Sequence, residues 1–91
     1  MASITRSLEI INVKGLHARA SAKLVEVVES FDATAVVQND GMEASGDSIM
    51  GLLMLAASIG TTIEVQTDGA QAEALADAIE ALVGDRFGED M

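Results

Sequence analysis

The chain has 91 residues, 15 acidic against 5 basic, a formal charge of −10, and no cysteine, proline, tryptophan or tyrosine. That length makes one domain around a single two-layer core; the missing cysteines exclude disulfides, thiolate chemistry and cysteine-ligated metal, and the negative surface repels nucleic-acid phosphates and anionic membranes. Apolar residues form 49% of the sequence, but in runs well short of the roughly 20 positions a membrane-spanning helix needs, and residues 1–12 lack the apolar stretch of a secretory leader, so cytoplasmic residence is expected.

In residues 5–10, Leu8 and Ile10 alternate with Thr5, Ser7 and Glu9, the period of a half-buried strand. The run Gly15-Leu16-His17-Ala18-Arg19 follows, and the period then lengthens to that of an amphipathic helix over residues 18–31. Ala20, Leu24, Val27, Val28 and Phe31 share one stripe of it, with Arg19, Lys23, Glu26 and Ser30 opposite. Residues 34–38 and 42–45 flank Asn39-Asp40-Gly41, a cluster that tolerates positive φ, and read as a hairpin. Ser48 caps a short helix running to about residue 58, ahead of Gly60. A fourth strand is expected over residues 61–67, alternating Ile63 and Val65 with Thr62, Glu64 and Gln66. Asp68 then caps a helix over residues 70–83 that buries Ala74, Leu75, Ala78, Ile79 and Leu82. Residues 1–88 thus form one domain, and residues 89–91 a frayed tail. The order β-α-β-β-α-β-α suits an α+β fold, an open-faced two-layer sandwich with three helices on one face of a four-stranded, mainly antiparallel sheet.

His17 is the only histidine, and it stands where a glycine turn gives way to a helix. A helix start offers unpaired backbone N–H groups and a positive dipole end, an environment suited to an anion carried on the ring. Arg19 adds a fixed charge whose donor fork matches phosphate oxygens, each charge-assisted contact contributing about 1.5–3 kcal/mol before solvent screening. Arg6, Lys14, Arg19 and Lys23 fall within the first 23 residues, whereas the last 24 hold seven acids and one arginine, which suggests a basic face near His17 on an acidic body. No cofactor or metal is called for. Two other readings stay open on the residues alone: a small hydrolase of acyl phosphates in which Arg19 and Asn12 hold substrate, and an effector-binding domain in which His17 is only a turn residue.

Gly15-Leu16-His17-Ala18-Arg19, together with Ser48-Ile49-Met50-Gly51 further along, resembles the paired signatures of HPr, the histidine-containing phosphocarrier family of the phosphotransferase system, over nearly the whole chain. The resemblance implies that His17 accepts a phosphoryl group from the phosphohistidine of enzyme I and passes it to IIA-type proteins, and that Arg19 neutralises it. It also implies that Ser48 is a target of an HPr kinase/phosphorylase. Ile49, Met50, Leu53 and Ala22 would form the apolar docking rim, with Leu52 and Leu55 in the core. Such a protein is a carrier and not an enzyme. Three positions depart from the pattern or modify it: Ala20 stands where proline is common and leaves the helical turn less fixed, Glu26 stands where several members carry lysine, and Asp47 would oppose a phosphoserine at position 48. A regulatory, nitrogen-related branch of the same family is an alternative to sugar transport.

Overall fold

Alternating strands joined by the Asn39–Gly41 turn set the architecture. The computed structural model describes residues 3–91. Its strands β1 (Ile4–Glu9), β2 (Thr34–Asn39), β3 (Met42–Ser45) and β4 (Thr62–Asp68) form one antiparallel sheet in the order β1-β4-β2-β3. The β2–β3 connection places Asp40 at φ 53° and Gly41 at φ 81°, the left-handed pair whose twist matches that of a tight hairpin. On β4, Ile63, Val65 and Thr67 are buried while Thr62, Glu64 and Gln66 are exposed, so one sheet face is wet and the other is covered by helices.

Those helices are α1 (Ala18–Glu29), α2 (Ile49–Met54) and α3 (Ala72–Gly84), followed by a single 3-10 turn at Arg86–Gly88. Ile10, Leu24, Val37, Leu52, Ile63, Leu75, Ile79 and Phe87 are fully buried between the layers. Ser48 caps α2 as expected, its hydroxyl accepting from Gly51 N–H at 3.1 Å. Among the described residues no helix is long and apolar enough to cross a membrane.

Three local expectations are corrected. Asp68 does not cap α3: it ends β4 and accepts a hydrogen bond from the Ser3 hydroxyl. Entry to α3 is fixed instead by the Gln71 side chain, which accepts from Asp32 N–H at 2.6 Å, and by the buried Thr67 hydroxyl, which donates to the Ala72 carbonyl at 2.7 Å. The helix α3 also turns a different stripe inward, burying Ala72, Leu75, Ala76, Ile79 and Val83, while Ala74 is exposed and Ala78 and Leu82 are half-buried. On α1 the buried stripe is likewise shifted, to Ala20, Ser21, Leu24, Val25 and Val28, with Val27 and Phe31 half-buried.

Candidate functional site

The approach to His17 is built by backbone geometry. Gly15 adopts φ +65°, and a Cβ there would lie 2.4 Å from the Ala57 carbonyl oxygen, so only glycine fits. That same oxygen accepts from Leu16 N–H at 2.9 Å, which clamps the loop onto the segment after α2. His17 is the residue at which α1 starts, with extended backbone (φ −81°, ψ −175°), and its carbonyl accepts the first helical bond, from Ser21 N–H at 2.8 Å. The N–H groups of Ala18, Arg19 and Ala20 therefore lie in the first turn, where no helical carbonyl is available to them. The His17 side chain is 27% exposed, so the ring is open to a reaction partner.

Fixed charge lies across Glu89, which borders both the ring and the Arg19 pocket. Arg19 is exposed, makes no hydrogen bond or ion pair among the described residues, and lines a shallow pocket with Lys14, Val13, Glu89, Asp90 and Met91. The basic cluster expected from sequence is divided: Lys14 and Arg19 stay at the site, Arg6 pairs with Asp77 and Glu80 of α3 at 2.7 and 2.9 Å, and Lys23 donates to the Phe87 carbonyl at 2.6 Å.

The tail expected to fray is held at Glu89. Its carboxylate accepts from Asn12 Nδ2 at 2.9 Å and bonds His17 Nε2, with the side chain only 15% exposed; Asp90 and Met91 are exposed. Asn12 then His17 hold the Glu89 carboxyl below its usual range, with Lys14 adding a smaller pull. Asn12 is fully buried, and its Nδ2 also donates to the Gly15 carbonyl at 2.8 Å. It therefore organises the loop and the tail and does not face a substrate, which removes the hydrolase reading that paired it with Arg19. Glu89 escaped the sequence reading because it lies in a polar terminal run without periodicity. The available signal was Phe87, a large aromatic just beyond α3 whose burial pins whatever follows it.

The second signature lies on α2. Ser48 is half-buried, Ile49 and Met50 are exposed (Met50 at 70%), Leu53 and Ala22 are half-buried, and Leu52 and Leu55 are in the core. Met54, 66% exposed, extends the apolar surface. A six-residue helix can bury only one stripe, so the rest of its apolar residues face outward.

A family model described as "PTS HPr component phosphorylation site" matches residues 4–85. The chain is 44% identical over 86 residues to the phosphocarrier protein HPr of Cupriavidus necator, covering 94% of this chain and 97% of that protein. It is 40% identical over 89 residues to the phosphocarrier protein NPr of Escherichia coli K12, covering 97% and 99%. Among solved structures, HPr-C-His from Thermoanaerobacter tengcongensis superposes with a TM-score of 0.89 at 32% identity, covering 100% of both chains.

Proposed function

Since the chain belongs to the HPr family of phosphotransferase-system phosphocarriers, we propose that His17 is the residue that carries the phosphoryl group, received from phospho-enzyme I and delivered to a IIA-type protein. The observation that carries this reading is the placement of a partly exposed imidazole at the cap position just before α1, two residues from a guanidinium that has no partner among the described residues. The ring attacks through an unprotonated nitrogen; phosphorus leaves the donor imidazole, and its charge develops toward Arg19 and the first-turn N–H groups. A partly exposed site suits a carrier, because holding the group more tightly than donor and acceptor do would stall onward transfer. The covalent intermediate is a phosphohistidine, and the protein turns over nothing by itself.

Ile49, Met50, Leu53 and Ala22 form the surface on which enzyme I, IIA proteins and a kinase dock, methionine adapting to several partners. Ser48 is the regulatory position: a phosphate there meets the start of α2, leaves the fold intact, and sets a dianion beside the apolar docking residues. The protein works in the cytoplasm with other phosphotransferase components. Purified chain incubated with enzyme I and phosphoenolpyruvate, then with sugar-specific and nitrogen-related IIA proteins in separate reactions, tests the reading. Wild type passes label to one of the two acceptors and His17→Ala to neither; transfer by His17→Ala would reject it.

A further inference from the structure

Sulfur chemistry in this chain falls entirely to methionine, and that sulfur is on the outside. The sequence has five methionines and no cysteine, tryptophan or tyrosine, so the thioethers are the groups that a peroxide oxidises most readily. Met42, Met50, Met54 and Met91 are 48%, 70%, 66% and 71% exposed, and among the described residues no methionine belongs to the core. Methionine ordinarily fills irregular gaps in a core; here aliphatic side chains and Phe87 do so without it. We propose that Met50 and Met54 on α2 are a reversible oxidation site, at which conversion of the thioethers to sulfoxides by hydrogen peroxide weakens docking of enzyme I and leaves the fold intact. The inference rests on the reading of α2 as the docking surface.

Met50 and Met54 are four residues apart and so project from one side of α2, whereas Leu52 is fully buried. They share the outer surface with the exposed Ile49 and the half-buried Leu53. Met42 adjoins this surface from the sheet. Ala44, two residues along β3 and on the same sheet face, packs so closely on α2 that a Cβ at Gly51 would lie 3.1 Å from the Ala44 Cβ. Asn39, the register partner of Met42, donates through Nδ2 to the Leu55 carbonyl at 2.8 Å, which ties the hairpin to the end of α2. What holds α2 in place is the burial of Leu52 and Leu55, the Ser48 cap and the Asn39 bond, none of which uses a methionine.

The oxidation balances with peroxide alone. A sulfur lone pair attacks one peroxide oxygen, the S–O bond forms as the O–O bond breaks, and the departing hydroxide takes the proton of the transferred oxygen to leave as water. Sulfur loses two electrons and the peroxide gains them. The sulfoxide is polar and chiral, and thiol-dependent reductases return it to the thioether, one enzyme for each epimer. In the free protein, water solvates the new oxygen. Beneath a partner it is stripped of that water beside Ile49, Leu53 and Ala22, whose side chains offer no donor in exchange. The change carries no charge, so it acts separately from a phosphate at Ser48.

The test treats the full chain with hydrogen peroxide, as wild type and as the double variant Met50→Leu/Met54→Leu, each compared with its own untreated sample. Oxidised wild type carries one oxygen at position 50 and one at position 54 by peptide mass spectrometry. It melts within about 2 °C of the untreated protein and binds enzyme I about tenfold more weakly by calorimetry. Reductases of both epimer specificities, supplied with a dithiol, restore the binding. The treated double variant keeps the affinity it had before treatment, although Met42 and Met91 are oxidised in it. Unchanged binding by wild type with sulfoxides at both positions, an equal loss in the double variant, or a loss accompanied by unfolding would overturn the oxidation site. Met50→Glu separates the two readings: if it weakens enzyme I binding while oxidation does not, only the oxidation site is rejected, and if neither weakens binding, the docking surface is rejected with it.

Discussion

Replacing Phe87 with alanine tests whether the tail is anchored by its aromatic ring. The side chain is fully buried among the α1, α3 and sheet residues of the core, and removal of such a ring costs about 3–5 kcal/mol. Releasing the tail also relieves the left-handed backbone at Arg86 and Phe87, worth about 1–2 kcal/mol each. Against that relief stand the hydrogen bonds that Lys23, Asn12 and His17 make to the tail, which are lost with it. At about 1 kcal/mol each, those lost bonds largely cancel the backbone relief, so burial dominates and the net loss is about 3 kcal/mol. For a domain of this size that lowers Tm by roughly 12–24 °C. Urea denaturation gives the free energy, and the Asn12 side-chain amide resonances report whether Glu89 has left. A loss below about 1 kcal/mol, or Asn12 resonances unchanged from wild type, would refute the anchoring argument.

Other outcomes follow from the same geometry. Met50→Glu, on a side chain that is mostly solvent-exposed, leaves stability within about 0.5 kcal/mol of wild type and weakens enzyme I binding at least tenfold by calorimetry; a fall in Tm with unchanged binding would return Met50 to the core. Ser48→Asp retains an acceptor at the start of α2 and leaves the melting curve near wild type, while slowing phosphoryl transfer from enzyme I several-fold, as stopped-flow labelling would show. Glu89 titrates below its unfolded value, so the stability it contributes is present above the ordinary carboxylate range and is lost as pH falls through its folded value. Wild type and Glu89→Gln should therefore differ in stability at pH 7 and converge under acid, and a constant difference across that range would contradict the assignment.

The strands were legible because their alternation has only one solution: Ile63 and Val65 must share a face, and Glu64 and Gln66 must not. The hairpin turn and the Ser48 cap were legible for the same reason, each being a residue type with a specific backbone duty. The face of α3 was not. Alanine occurs on every side of that helix, so stripes one residue apart bury nearly equal apolar surface, and the choice passed to tertiary contacts at Thr67 and Gln71 that no local pattern encodes. At the site, His17, Arg19 and Ser48 announce themselves by type and spacing, whereas Asn12 and Glu89 meet only because the chain closes over 77 residues of separation. Arg6 shows the converse: near His17 in sequence, it is committed to Asp77 and Glu80 in space.

The most direct test of the account is to locate the phosphate. Wild-type chain phosphorylated by enzyme I and phosphoenolpyruvate, digested at neutral pH and sequenced by tandem mass spectrometry, should carry one acid-labile phosphoryl group on the peptide containing His17, and His17→Ala should carry none. An acid-stable phosphate, or label persisting in the His17→Ala protein, would contradict it.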